Sequence, residues 1–405
     1  MKTTSTALRK TSLALAATLA ASTSMAQISG DVIKIGFITD MSSLYADIDG
    51  AGGVEAIKMA IADMKGTVAG KKIVLLTADH QNKADVAASK AREWFDTEGL
   101  DVLIAGSNSG TALAMSKVAA EKKKPIMVNA AATARLTNED CNPYTVHYTY
   151  DTMALANGTG NAVVQDGGKS WFFLTADYAF GASLQADATA VVQKAGGKVL
   201  GSVRFPLSSS DFSSFLLQAQ SSKAQILALA SAGGDTVNAI KAAAEFGINK
   251  QMKLAGLLMF INDVHALGLQ ATQGMYLTTG WYWNQSPEAR SWGRRFFEKV
   301  KRMPSMAQAG DYSSAMHYLK AVEASGSDDG DTVMAKMKAT KVNDFFARNG
   351  VIGPDGRHRH DMYLMQVKSP KESVEPWDYY KLVKTIPGEE AFTKLADSKC
   401  PLVKK

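Results

Sequence analysis

Strand-like apolar runs alternate with helix-like stretches along this chain, and this alternation limits its fold more than any other feature. A strand at 32–38 is followed by a helix at 53–65, a strand at 72–77 and a helix at 83–97. Such alternation predicts βαβ units in a parallel sheet with right-handed crossovers. A second array of the same kind begins with a strand at 171–175. We therefore predict an α/β protein with two similar lobes.

One strand-to-helix junction, within residues 101–116, has the chemistry of an anion site. Residues 102–105 form an apolar run typical of a buried strand, and helical spacing begins near Thr111. Small polar residues lie between them, so free backbone N–H groups are expected at a helix N-terminus. These donors and the helix dipole both favour negative charge. The same features also fit a capped turn that binds nothing, so other parts of the chain must decide.

The N-terminus has the organisation of a secretory signal peptide. Lys2, Arg9 and Lys10 precede an apolar stretch at 13–21, and Ser-Met-Ala at 24–26 provides a small-x-small cleavage site. The apolar stretch is too short to span a membrane. We expect cleavage after Ala26 and a soluble protein in the periplasm.

The exported chain is only weakly basic. Its formal charge of +6 falls to +3 once the three bases of the signal peptide are removed. Spread over this length, that charge gives little support for nucleic-acid binding. In an oxidising compartment we predict a disulfide between the two cysteines, Cys141 and Cys400; two unrelated thiols are the alternative.

Motifs of enzymes and metal sites are missing from the sequence. No serine lies in a G-x-S-x-G motif, and no cysteine has an evident histidine partner. The histidines of Arg-His-Arg-His at 357–360 have poor spacing for a metal, and we predict a solvated turn there. We expect no catalytic residue, no metal and no cofactor. An exported enzyme built from distant loops is the alternative.

Aromatic residues near strand ends are candidates for a binding pocket. On parallel sheets ligands bind at the carboxyl ends of strands, so the loops after residues 38, 104 and 128 are expected to face one crevice. Tyr45, Tyr178 and Phe180 lie near such strand ends. Packing in the core is the alternative role for each of them.

Segments spread over nearly the whole exported chain resemble the exported solute-binding proteins of ABC importers, of the leucine/isoleucine/valine-binding type. The matching segments are 33–43, 79–91, 106–112, 131–134, 136–137, 177–181, 211–213 and 350–357. The resemblance implies a type I periplasmic binding protein fold, with two Rossmann-like lobes joined by three hinge crossings. It divides the chain into a signal peptide (1–26), lobe 1 (27–147 plus 280–354) and lobe 2 (148–279 plus 355–405).

The resemblance also implies which residues bind the ligand. In that family, a turn and a threonine hold a ligand carboxylate, and they match Ser109, Gly110, Thr111 and Thr133. The carbonyl matching Ala131 and an acid of the second lobe hold an ammonium group, while an aromatic side chain at the position of Phe180 covers the ligand. The acid should fall near 257–259, where this chain has Leu-Leu-Met, and an aromatic expected near Ala232 is also missing.

A buried ammonium without an anionic partner is costly. We therefore predict that the ligand is an aromatic or other apolar carboxylate. Asp177, Asp235 or Asp263 could supply the missing charge from a neighbouring loop, and a branched-chain or other amino acid is then the alternative ligand. The resemblance further implies delivery to a membrane permease, and we expect a monomer that binds no nucleic acid.

Overall fold

The computed structural model describes residues 28–404. The predicted signal peptide and its cleavage site lie outside these residues. Among the helices that are described, none is long and apolar enough to cross a membrane. The described chain forms an α/β fold with two parallel-sheet lobes, as predicted.

The first lobe is built on a six-stranded sheet with the order β2-β3-β1-β4-β5-β6. Its strands are β1 (Val32–Thr39), β2 (Thr67–Val68), β3 (Lys71–Asp79), β4 (Val102–Ala105), β5 (Ile126–Val128) and β6 (Thr145–His147). Its first helices are α1 (Gly50–Asp63), α2 (Ala84–Glu93) and α3 (Ser109–Glu121). Strands β1 and β3 to β6 are parallel, and β4 and β5 are wholly buried, as expected for strands covered on both faces.

The second lobe contains a four-stranded parallel sheet with the order β10-β9-β7-β8. Its strands are β7 (Ser170–Ala176), β8 (Lys198–Phe205), β9 (Ile226–Ala230) and β10 (Lys253–Gly256). Its helices are α4 (Thr152–Leu155), α5 (Asn161–Gln165), α6 (Ala179–Lys194), α7 (Ser213–Ser221), α8 (Gly233–Glu245), α9 (Ile261–Leu267) and α10 (Leu269–Thr272). A π-helical turn, Ala156–Gly160, separates α4 from α5.

The chain then returns to the first lobe and leaves it again. Helix α12 packs against α1, while β14 pairs with both β11 and β15 in a small antiparallel sheet. The elements are β11 (Tyr276–Thr279), α11 (Pro287–Val300), α12 (Met306–Ser325), α13 (Gly330–Ala339), β12 (Val351–Ile352), β13 (His358–Arg359), β14 (Met362–Val367), β15 (Tyr380–Ile386) and α14 (Gly388–Ala391). The chain thus passes three times between the lobes. The predicted residue boundaries of the lobes stay predictions.

One local prediction was wrong. The turn predicted at 357–360 is not solvated: Arg357, His358 and His360 are 1%, 0% and 4% exposed. These side chains are buried because they bond to the backbone of the first passage between the lobes.

The predicted disulfide between Cys141 and Cys400 is present, with the two Cα atoms 5.6 Å apart. Beside it, the backbone N–H of Lys399 donates to Asn138 Oδ1 at 3.1 Å. The bond therefore ties the C-terminal tail to the loop that precedes β6. Because it closes a loop of 259 residues, the chain-entropy model assigns it about 5 kcal/mol of stability.

Candidate functional site

A narrow cavity lies between the two lobes, at the carboxyl ends of β1, β4, β5 and β7. Its volume is about 10 Å³, roughly the space that one water molecule needs, so the two lobes are closed against each other around it. The residues that line it are Tyr45, Ile48, Ser107, Asn108, Ser109, Ala130, Ala131, Ala132, Tyr150, Tyr178, Phe180, Ala232 and Leu258.

The first-lobe wall is formed by the turn before α3 and the loop after β5. Asn108 has φ of +75°, and its side chain caps α3 by accepting from the N–H groups of Gly110 (2.8 Å) and Thr111 (3.3 Å). Ser109 Oγ accepts from the N–H groups of Ala132 (3.4 Å) and Thr133 (3.2 Å). The N–H of Ser109 has no acceptor within the helix because it lies in the first turn. This wall presents neutral donors and carries no charge.

The residues predicted to hold the carboxylate or the ammonium group of a ligand divide into two groups. Ser109 and Ala131 line the cavity, whereas Gly110, Thr111 and Thr133 lie behind its surface. Thr111 Oγ1 donates to the Ser107 carbonyl at 3.1 Å. The role of all five residues as ligand contacts stays a prediction.

The predicted aromatic residues are brought together at the cavity. Tyr45 extends from the first lobe, and Tyr178 and Phe180 from the second; all three line the space. The hydroxyls of Tyr45 and Tyr178 lie 2.7 Å apart. Burial raises the pKa of Tyr45 well above its ordinary value, so its hydroxyl stays neutral.

Sequence reasoning missed Tyr150, whose ring also lines the cavity and whose hydroxyl donates to the Ala130 carbonyl at 2.5 Å. Sequence reasoning also missed that Asn108 caps α3 and lines the cavity, although an asparagine before a helix is a recognised N-cap signal. The other lining residues that it did not assign are Ile48, Ser107, Ala130, Ala132, Ala232 and Leu258.

On the second-lobe side, the cavity is lined by Tyr178, Phe180, Ala232 and Leu258, and the last two lie in the segments where the resemblance implies an aromatic and an acid. None of the three acids considered as replacements lines the cavity. Asp177 is exposed beside Arg204, while Asp235 and Asp263 are buried and accept from the N–H groups of Ser208 and Phe260 respectively. Among the described residues, those lining the cavity include no charged side chain.

A buried acid lies directly behind the first-lobe wall. Asp49 Oδ2 accepts from Thr39 Oγ1 at 2.9 Å, and Thr39 Oγ1 in turn accepts from the Ser107 N–H at 3.1 Å. Burial raises the pKa of Asp49 to about 7. The pKa of Asp311, also buried, is raised well above its ordinary value by burial and by the charge of Asp49. Burial thus favours the neutral form of both carboxyl groups.

The two lobes are in contact across the cavity. Besides the tyrosine pair, Thr133 Oγ1 lies 2.7 Å from Ser183 Oγ of α6. Gly233, with φ of +55°, lets the second lobe approach closely, because a Cβ atom there would lie 2.9 Å from the Leu44 carbonyl oxygen. Within residues 28–404, no group of three or more His, Cys, Asp or Glu side chains is arranged to hold a metal ion. The two lobes thus close against each other around the cavity.

Comparison with known proteins agrees with this geometry. Residues 32–372 match the periplasmic binding protein family, and the chain belongs to that family. Its fold and its relatives are those of transporter solute-binding proteins and not of enzymes. The resemblance drawn from the sequence is confirmed.

Several relatives are similar over most of the chain. A periplasmic binding protein from Burkholderia mallei is 67% identical, with a TM-score of 0.91 over 92% of this chain and 100% of that one. A branched chain amino acid ABC transporter periplasmic ligand-binding protein from Burkholderia xenovorans is 40% identical, with a TM-score of 0.81 and the same coverages.

More distant relatives share the length and the fold. The Leu/Ile/Val-binding protein homolog 6 of Brucella melitensis is 27% identical over 354 residues, which is 83% of this chain and 88% of that protein. An ABC transporter solute-binding protein from Rhodopseudomonas palustris is 19% identical and shows the same fold, with a TM-score of 0.80 over 91% of this chain and 99% of that one.

Proposed function

We propose that this periplasmic solute-binding protein captures a small aromatic or other apolar monocarboxylate between its lobes. The observation that carries this proposal is the chemistry of the cavity lining. Four aromatic rings and the N-terminus of α3 face the cavity, and no charged side chain among the described residues lines it. A carboxylate finds donors there, whereas an ammonium group finds no anionic partner.

The expected affinity follows from these groups. A charge-assisted hydrogen bond to a carboxylate contributes about 1.5–3 kcal/mol. Two or three such bonds from the Ser109 hydroxyl and backbone donors, together with burial of one ring against Tyr45, Tyr178 and Phe180, support a dissociation constant in the micromolar range, about −8 kcal/mol.

Two groups of relatives favour different ligands. The Rhodopseudomonas palustris structure that shares this fold is a complex with benzoate, which supports the proposal. The Brucella relative is named for leucine, isoleucine and valine, which makes a branched-chain amino acid the second candidate. The apolar wall at Ala232 and Leu258 favours the acid.

We further propose that the protein is exported to the periplasm, is cleaved after Ala26, acts as a monomer and delivers its ligand to a membrane permease. The family and its ABC transporter relatives support the transport role. Intact mass of the secreted protein tests the cleavage site.

Calorimetry with benzoate and with leucine, on the same preparation, tests the ligand. We expect micromolar binding of benzoate and at least hundredfold weaker binding of leucine. A thermal-shift series provides an independent reading, because a ligand at 100 times its Kd adds about 2.7 kcal/mol of stability. Tight leucine binding with no response to benzoate contradicts the proposal and supports the second candidate.

A further inference from the structure

The buried segment 357–360 holds the first passage between the lobes by three successive carbonyl groups. Arg357 Nη1 donates to the Tyr150 carbonyl at 3.0 Å. His358 Nδ1 and His360 Nε2 lie 3.1 and 2.8 Å from the carbonyl oxygens of Tyr148 and Thr149. Each of residues 148–150 is therefore held through its backbone, independently of its own side chain.

This passage carries part of the cavity wall. The Tyr150 ring lines the cavity, and its hydroxyl donates to the Ala130 carbonyl. His147 directly precedes residues 148–150, and its Nε2 lies 2.8 Å from the carbonyl oxygen of Ala131, another lining residue. The N–H of His147 in turn donates to the Gly356 carbonyl at 3.0 Å. The segment 356–360 thus supports the wall from behind without lining the cavity.

Arg357 is the central member of this arrangement. Its guanidinium is buried, lies 3.7 Å from Asp151 Oδ2, and packs with Cζ 4.3 Å from the centre of the Phe392 ring. Asp151 also caps α4 by accepting from the Ala154 N–H at 2.8 Å. A buried charge needs such fixed partners, and the planar fork of arginine makes several directed bonds that a lysine cannot reproduce.

We propose that Arg357 is a positioning residue for the ligand site. By holding the Tyr150 carbonyl, it fixes the wall formed by Tyr150, Ala130 and Ala131, so that it sets ligand affinity without touching the ligand. This positioning role rests on the proposed function in one respect only: a carboxylate is used as the probe ligand.

Arg359 provides a matched control on the same segment. Its guanidinium makes two bonds to Asp355, at 2.9 and 2.7 Å, and others to the carbonyl oxygens of Thr393 and Arg357. None of these bonds goes to the wall or to the passage. Arg359→Gln therefore also removes an arginine–aspartate ion pair from this segment but leaves the Tyr150 carbonyl held.

The first measurement is benzoate affinity by calorimetry. We expect Arg357→Gln to weaken binding at least tenfold, Arg357→Lys to recover part of that loss, and Arg359→Gln to stay within twofold of the unsubstituted protein. Thermal unfolding of each variant checks that the comparison is made between folded proteins. Equal losses in Arg357→Gln and Arg359→Gln overturn the proposal, since they indicate a general loss of stability.

The second measurement needs no ligand. Hydrogen–deuterium exchange is expected to rise at 129–133 and 148–152 in Arg357→Gln and to stay unchanged there in Arg359→Gln. If exchange at 129–133 and at 148–152 is unchanged in Arg357→Gln, the positioning role is overturned. If exchange rises as expected but the unsubstituted protein does not bind benzoate, the positioning role stands and the proposed ligand is wrong.

Discussion

The two walls of the cavity differ in what they offer a ligand. The first-lobe wall presents the Ser109 hydroxyl and the backbone of a helix N-terminus. The second-lobe wall presents Tyr178, Phe180, Ala232 and Leu258, none of which carries a charge. Under the proposed function, recognition is asymmetric: most polar contacts come from the first lobe, and the second lobe offers a cation no anionic partner.

This asymmetry explains how one fold accepts different solutes. The polar wall depends on a strand end and a helix N-terminus, which the βα architecture provides. The apolar wall depends on single side chains such as Leu258, which substitution changes without altering the fold. We therefore propose that the ligand class is decided on the second lobe.

The largest expected effect comes from placing an acid on the apolar wall. Leu258→Glu buries a carboxylate that repels a ligand anion, and Leu258→Gln is its neutral counterpart. We expect benzoate affinity to be at least hundredfold lower in the glutamate variant than in the glutamine variant, about 3 kcal/mol. Calorimetry of both variants with benzoate and leucine measures this. Equal affinities for benzoate would show that the side chain at 258 does not approach the ligand.

A second prediction concerns the acid behind the polar wall. Burial raises the pKa of Asp49 from 3.8 to about 7, so the folded protein binds more protons than the unfolded chain between these values. The free energy of unfolding that Asp49 contributes therefore falls as pH rises from about 4 to 7, by roughly 1 kcal/mol per pH unit, and levels off above pH 7.

The comparison for this prediction is Asp49→Asn, because asparagine is also a good N-cap for α1. His360 acts in the opposite direction: burial lowers its pKa to about 4, so its contribution to stability rises with pH between about 4 and 6.5. The histidine effect cancels in the difference between the two proteins. Urea unfolding from pH 5 to 8 measures that difference, and a difference independent of pH would contradict the raised pKa.

The sequence predicted the polar wall better than the rest of the site. Ser109 and Ala131 follow β4 and β5, and the strand-end rule is enough to bring them to one crevice. Tyr150 was missed because β6 has only three residues and too short an apolar run to be recognised. The run Arg-His-Arg-His at 357–360 is typical of a solvent-exposed segment. No neighbouring residue in the sequence indicates that Arg357 bonds to the carbonyl of Tyr150, 207 residues earlier.

The third prediction tests the polar wall directly. Ser109→Ala removes the acceptor for the Ala132 and Thr133 N–H groups and a donor for a bound carboxylate. We expect about tenfold weaker benzoate binding, close to 1.4 kcal/mol. Ser116→Ala is the matched control, since Ser116 lies two turns later on α3 and bonds to Thr145 Oγ1 at 2.7 Å, away from the cavity. Similar losses of affinity in both variants would indicate that Ser109 does not contact the ligand.

The smallest expected effect comes from the bond that joins the two walls. Tyr45 belongs to the first lobe and Tyr178 to the second, and their hydroxyls lie 2.7 Å apart. Tyr45→Phe and Tyr178→Phe each remove this bond and keep the ring, so each is expected to weaken benzoate binding by about 1 kcal/mol, roughly fivefold. Because both changes break the same bond, the double variant should lose little more than either single one. Additive losses in calorimetry would mean that each hydroxyl contacts the ligand separately, and the two walls would then both contribute polar recognition.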